Sequence, residues 1–305
     1  MMAKNKFTIL ITTKDRINEL KFTLEKLSVL MNRDDVACII CDDGSSDNTT
    51  QYLEENFPKI QLIRNTQSKG LIHSRNILLS LVKSDFAISL DDDLHFISEN
   101  PLEIIEDYFH DNPNCGLISF RIFWNKLNPV STHSNQKAVR VQSFAGGAHV
   151  WRISAWKSIP EYPAWFVFYG EEDFASYHLF KKNIEIHYVP EILTHHRVDI
   201  KGRKKDKDYV QRLRRSLRAG WFLFFLFSPL QTIPKKMIYS LYIQLKLKVF
   251  KGDFKALKAI VLALLDLVIN SFRIIKNSNR LTLEEYNSYN KLQYTKLYWK
   301  PEDEK

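Results

Sequence analysis

Short apolar runs alternate with helically spaced apolar positions over the first third of the chain. Phe7–Ile11 reads as a strand buried on both faces, and Val36–Cys41, Ile60–Arg64 and Phe86–Leu90 repeat the pattern. Between them, Leu20, Leu24, Leu27 and Met31 mark one helix and Tyr52 and Leu53 a second. Leu71, Ile77, Leu78, Leu81 and Val82 mark a third, with Arg75 and Asn76 in its first turns. Strands alternating with helices predict right-handed crossovers and a mainly parallel sheet flanked by helices.

Each main strand runs straight into polar residues. The first ends in Thr12, Thr13 and Arg16, the second in Asp42 and Asp43, and the fourth in Asp91, Asp92 and Asp93. Ligands of open α/β sheets bind at the C-terminal strand edge, and all three sets fall there. Three adjacent carboxylates repel one another unless water or a divalent cation carrying a phosphate compensates them. The expectation is a metal–nucleotide site with Asp91 and Asp93 around the ion. A solvated acidic turn or a structural calcium loop is the alternative. Neither GxGxxG nor GxxxxGK[ST] occurs, which excludes a dinucleotide fingerprint and a P-loop.

Further along, Asn112–Phe120 contains a turn and a strand, and residues 123–142 read as a long polar loop with His133 and Asn135. Gly146 and Gly147 permit close backbone approach or a plain turn. Trp165 opens an aromatic run that ends in Glu171, Glu172 and Asp173. Aromatic faces stack on sugars, and a carboxylate beside them deprotonates a hydroxyl; the alternative is acid enrichment at a helix N-terminus. Residues 200–208 read as a mobile loop, either able to close over a ligand through Arg203 or Lys204 or merely solvated.

The net charge of +9 is unevenly placed. Residues 201–251 hold 14 Lys/Arg and two acids, which leaves −3 for the rest. Basic residues next to Trp221–Phe227 suit an anionic lipid surface, in a segment too short to span a bilayer. Residues 239–250 and 256–275 read as amphipathic helices, 281–297 as helical, and Pro301–Lys305 as a solvated tail. The alternative is a helical subdomain packed on the main body. Cys38, Cys41 and Cys115 are odd in number and lie in apolar runs, as reduced core residues of a cytosolic protein do. Phe7–Ile11 is too short for a signal peptide.

FTILITTKDR, VACIICDDGSSDNT, SKGLIHSRN and ISLDDDL, in this order and spacing, resemble a family 2 glycosyltransferase of the GT-A fold. DDGS combined with a DxD-type motif is specific, and the resemblance covers about the first 200 residues. It implies transfer of a hexose-type sugar from a nucleotide-sugar, UDP-linked for choice, usually with inversion and with Mn²⁺ or Mg²⁺. It implies donor contacts by Thr12, Thr13, Arg16, Asp42, Asp43, Lys69, Arg75, Asp91 and Asp92. Asp43 takes the place that receives a base N–H, and Asp42 supports it or meets the ribose. Asp93, Asp91 and His196 take the metal positions. Gly146, Gly147 and Trp165 take the acceptor side, with Arg152 as the basic residue after the glycine pair. Glu172 matches the general base, with Asp173 as runner-up and Glu171 binding an acceptor hydroxyl.

The resulting layout is a GT-A catalytic domain over 1–208, divided into a donor half (1–95) and an acceptor half (96–208), and a basic helical extension over 209–305. The expected acceptor is a glycan or lipid-linked glycan in cell-surface polysaccharide synthesis. The expected location is the cytoplasmic side of the cell membrane, with peripheral contact through 209–275. A sugar-nucleotidyltransferase or pyrophosphatase would need a Gly-rich basic loop after the first strand, which TTKDR is not. A nucleic-acid binder would interleave aromatics with its charges; here the two are segregated, so no nucleic-acid partner is expected.

Overall fold

The computed structural model describes residues 5–198 and 208–304. Arg203 and Lys204, expected on a closing loop, lie outside them. The strands are β1 (Phe7–Thr13), β2 (Val36–Asp42), β3 (Gln61–Arg64), β4 (Phe86–Asp91), β5 (Leu94–Phe96), β6 (Cys115–Trp124), β7 (Val139–Arg140), β8 (Ala148–Arg152) and β9 (Glu185–His196). The helices of the first 200 residues are α1 (Ile17–Met31), α2 (Thr49–Asn56), α3 (Leu71–Ser80), α4 (Pro101–Asp111), α5 (Ile153–Lys157) and α6 (Glu171–Lys181). After them come α7 (Tyr209–Phe227), α8 (Ile233–Leu247), α9 (Phe254–Ile269), α10 (Ser271–Lys276) and α11 (Leu283–Lys291).

All the strands form one sheet in the order β3-β2-β1-β4-β8-β6-β9-β5, with β7 on β9. β1 to β4 are parallel, as the alternation predicts. The second half is mixed: β8 runs antiparallel to both β4 and β6, while β6 and β9 are parallel. Successive strand residues point to opposite faces, so each strand feeds two cores. Leu10, Ile39 and Ala87 face one cluster, whereas Ile9, Ile11, Ile40 and Ile88 face the other. Truncating a fully buried side chain such as Ile9 to alanine costs about 2–5 kcal/mol.

The three cysteines are free and buried, as the composition implies. The last third of the chain does not hang free. Phe222, Leu226 and Phe227 of α7 join the core under α6, and Leu217, Trp221, Ile260 and Ala263 make a smaller core of their own. The continuous helix expected over 281–297 ends at Lys291. From there the chain returns to the sheet, pairing Gln293 with Val141 and Trp299 with Phe123. Trp299 is fully buried, with the Arg121 guanidinium 4.5 Å over its ring. These long-range apolar contacts outweigh a weak helical signal, because helix propensity is only a modest preference.

Candidate active site

Strand register builds the site. Thr13 of β1 sits opposite Asp42 of β2, and Thr12 opposite Asp91 of β4, so the three polar strand ends are direct neighbours on one edge. They open on a cavity of about 600 Å³, lined among others by Thr12, Thr13, Arg16, Asp43, Lys69 and Asp91–Asp93. That volume suits a small-molecule ligand.

Asp42 does not reach this cavity. It is fully buried and accepts hydrogen bonds from Ser45 N (2.8 Å) and Thr50 Oγ1 (2.5 Å), holding the turn into α2. Asp43 accepts from Asn65 Nδ2, Ser68 Oγ, and the backbone N–H groups of Lys69 and Gly70, at 2.6–2.9 Å. Burial works against its charge, but these donors prevail and hold it below the usual carboxylate range. Four donors fill its accepting capacity, so a ligand N–H must displace one, and the Ser68 hydroxyl is the one that rotates freely.

Asp92 is buried, accepts from Thr13 Oγ1 (2.8 Å), and lies 3.3 Å from Arg16 Nη1. Burial pushes its carboxyl up to about 7. Asp93 has the same burial to overcome, but His196 and then Arg16 outweigh it and bring it down to about 2. The long β9 brings His196 here: its pairing with β5 sets His196 opposite Leu94. His195, on the other face, is buried with Nε2 2.8 Å from Asn125 O.

Asp91, Asp93 and His196 place one ligand atom each within 4.8 Å of the others. His196 Nε2 is 2.9 Å from Asp93 Oδ1, yet no donor hydrogen is directed at that buried oxygen. Two carboxylates and an imidazole around an unsatisfied oxygen fit a divalent cation, and the nitrogen ligand suits Mn²⁺ better than Mg²⁺.

Arg75 is buried and its guanidinium is taken up by protein groups, not turned to a donor as the resemblance implies. It donates to Glu171 Oε1 (2.8 Å), Asp91 Oδ1 (3.0 Å) and Gly146 O (2.8 Å). It therefore joins the donor edge, the glycine pair and the start of α6. A Cβ on Gly146 would fall 2.2 Å from Glu172 Oε1, and one on Gly147 2.7 Å from Asp91 Oδ2. The two glycines let these carboxylates pack directly on their backbone, and a Cβ at either position would push a carboxylate aside.

Glu172 keeps part of its surface open. Dense surroundings, then the Glu171 carboxylate, push its own carboxyl well above the usual range. Asp173 is exposed. Arg152 is remote from the site: it donates to Cys115 O and Phe109 O at the far end of β6. Trp165 packs against Phe166 and Phe222 at ring distances of 4.7 and 5.2 Å, and Val167 and Phe168 take the cavity wall instead. Val167, Tyr169 and Gly170 all have positive φ (69°, 70° and 85°), which turns this segment sharply over the site.

The profile of glycosyl transferase family 2 matches residues 8–162, just over half of the chain. The chain belongs to this family. No curated protein sequence matches it. Among solved structures, GalNAc-T7 with UDP, GalNAc and Mn²⁺ is similar over 74% of this chain, with 14% identity and a TM-score of 0.59. This chain spans about half of that protein, 49% of its length. A mannosyltransferase from Pyrobaculum calidifontis in complex with GDP-Man and Mn²⁺ is similar over 94% of this chain and 79% of its own, with 14% identity and a TM-score of 0.54. S. aureus TarS is similar over 68% of this chain and 38% of its own, at 15% identity and a TM-score of 0.53. These likenesses show the GT-A fold.

Among the lining residues of this family 2 chain with no counterpart in the sequence expectations, a cation stands out. Arg215, from α7, reaches the same cavity that Lys69 and His196 line. Its neighbour Arg214 is anchored in a bidentate ion pair to Asp266 of α9, at 2.6 and 2.7 Å. Arg218 donates to Phe166 O, tying α7 to the aromatic turn. The signal was a run of four arginines, which by itself reads as a basic surface.

Proposed function

We propose that this protein is a metal-dependent inverting glycosyltransferase that moves a sugar from a UDP-sugar to a hydroxyl of a glycan or lipid-linked glycan. The observation that carries the reading is the meeting of Asp43, Asp93 and His196 on one cavity. Glu172 does not line it; its carboxylate lies against Gly146, whose carbonyl accepts from Arg75.

Asp43 receives the N3–H of uracil as Ser68 Oγ swings away, a contact that a base lacking this imide cannot make. Asp91, Asp93 and His196 hold the divalent cation, which when bound stabilises the departing diphosphate. Arg215 and Lys69 add positive charge to the cavity, and Arg16 steadies Asp92 and Asp93. Glu172 takes the proton of the acceptor hydroxyl. That oxygen bonds to the anomeric carbon as the bond to the diphosphate oxygen breaks, which inverts the centre. Glu171, buried and paired with Arg75, orients the start of α6. A lipid-linked acceptor places this reaction at the inner face of the cell membrane, in cell-surface polysaccharide synthesis.

The test is calorimetric titration of the full chain with UDP, GDP, dTDP and CMP, with Mn²⁺, with Mg²⁺ and with chelator. UDP with Mn²⁺ is expected to bind tightest, and Asp93→Ala to remove the metal-dependent part. Equal binding of all four nucleotides, or indifference to metal, overturns the assignment.

A further inference from the structure

α9 is apolar on its outer as well as its buried side. Its buried side, Ala256, Ala259, Ile260, Ala263 and Asp266, packs on α7. The opposite side carries Phe254, Leu257, Lys258, Val261, Leu265, Val268 and Ile269, all exposed. A surface helix with one buried face ordinarily shows a charged outer face; here Lys258 is the one charge within that outer arc. The helical ladder crosses into α10 through Asn270 N to Asp266 O and Ile274 N to Asn270 O, both about 3 Å. The stripe then continues through Phe272 and Ile275 at the same three-or-four spacing. Phe254, Val268, Ile269 and Phe272 are 73, 71, 77 and 76% exposed. Isolated exposed apolar residues are common, but a continuous row two helices long marks a docking surface.

The charge around the row identifies what it meets. Between residues 209 and 281 there are 14 Lys/Arg and two acids. Of the two acids, one is neutralised by an ion pair and the other is a single surface carboxylate at the N-terminal end of the row. Asp266 is buried against Arg214, and Asp253 caps α9 and accepts from the Tyr209 hydroxyl. Lys255, Lys258, Arg273 and Lys276 flank the row, and Tyr239, Tyr242 and Lys246 form an exposed face of α8. No described helix is long and apolar enough to cross a membrane. At about 1.5 Å per residue, the 16 residues of α9 reach about 24 Å, less than the ~30 Å hydrocarbon core.

We infer that the outer face of α9 and α10 lies in the headgroup region of an anionic lipid bilayer, with Phe254, Val261, Val268 and Phe272 inserted and the flanking lysines and arginines on the lipid phosphates. A second copy of this chain suits the face less well, because its own basic flanks repel. The inference stands independently of the transferase reading. It also gives that reading a surface on which a lipid-linked acceptor is met, since α7 links the face to the cavity through Arg214 and Arg215.

The test is flotation of the full chain with vesicles of phosphatidylcholine alone and of phosphatidylcholine with phosphatidylglycerol. Recovery with the anionic vesicles is expected to be at least tenfold higher and to fall with added salt. The double variant Val268→Asp/Phe272→Asp is expected to abolish it, and Lys255→Glu/Lys258→Glu to reduce it by roughly tenfold or more. Both variants should keep the melting temperature and nucleotide binding of the parent, because these side chains point away from the body. No recovery, or equal recovery on neutral vesicles, overturns the inference. So does a concentration-dependent dimer in sedimentation that Val268→Asp/Phe272→Asp dissolves, which would assign the face to a second copy. Loss of nucleotide binding with flotation intact would count against the transferase reading alone.

Discussion

His196 and Asp93 lie 2.9 Å apart, nitrogen to oxygen, at the meeting of two antiparallel strands that the sequence separates widely. With Asp91 completing the group, the pair forms a ready set of cation ligands, held in place before any ligand arrives.

His196→Ala is therefore expected to weaken Mn²⁺-dependent nucleotide binding by roughly 10- to 100-fold, with little change in metal-free binding. The measurement is titration of UDP at a series of Mn²⁺ concentrations. An unchanged Mn²⁺ midpoint would remove His196 from the ligand set.

Glu172→Gln keeps the shape of the side chain and removes its basicity. It is expected to lower kcat by about 10²- to 10⁴-fold while the Kd for UDP stays within about twofold. Steady-state sugar transfer and binding, read on the same preparation, separate the two effects. Asp173→Asn, on an exposed side chain, is expected to leave kcat within a few-fold; a larger loss than that of Glu172→Gln would transfer the base to Asp173.

The pH profile follows from the same carboxyl. Burial, then the charge of Glu171, raise Glu172 above its ordinary range. A base acts only when unprotonated, so the acid limb of kcat/KM is expected above the ordinary carboxylate range, with activity rising as pH climbs through it. Glu171→Gln removes the like charge while Arg75 remains, so the limb is expected to move to lower pH. A shift to higher pH would contradict the electrostatic assignment.

Two glycines provide a paired test. Gly146→Ala puts a methyl group 2.2 Å from Glu172 Oε1 and 2.8 Å from Arg75 Nη1, so it is expected to cost at least tenfold in kcat. Gly220 lies inside α7 with nothing within 4 Å of an added Cβ. Gly220→Ala is expected to stabilise the protein by roughly 0.5–1 kcal/mol through helix propensity, with activity unchanged. Thermal melts and transfer rates of both variants decide the matter.

Arg215→Ala is expected to weaken UDP binding by about 5- to 10-fold and UMP binding less, since the guanidinium lines the cavity as a half-exposed charge. The same loss for uridine, which carries no phosphate, would contradict a role at the diphosphate.

Much of the donor edge was legible because the information is local. The apolar runs ending in Thr12-Thr13, Asp42-Asp43 and Asp91–Asp93 name both the strands and the edge on which their polar ends fall. In a parallel sheet every strand ends on the same side. Local pattern could not say which of two adjacent acids faces the cavity. Asp42 turns into the protein to hold Ser45 and Thr50 while Asp43 turns outward, and that choice rests on the packing of α2 and the 65–70 loop. Arg75 was misplaced for a similar reason. A cation on a first helical turn reads as a donor contact or as a solvated helix face, and only the arrival of Glu171 and Gly146 from the second half takes up its donors.

By itself, the sequence determined the order of strands and helices in the donor half, the family resemblance, and the acids from which a metal site is drawn. Tertiary structure decided the mixed second half of the sheet, the exchange of Trp165 for Val167 and Phe168 on the cavity wall, the entry of Arg215 from α7, and the outward face of α9. The division follows from range. Strand ends and helical periods are written within a few residues, whereas the direction a side chain finally takes depends on which distant element arrives to bury it or leaves it in solvent.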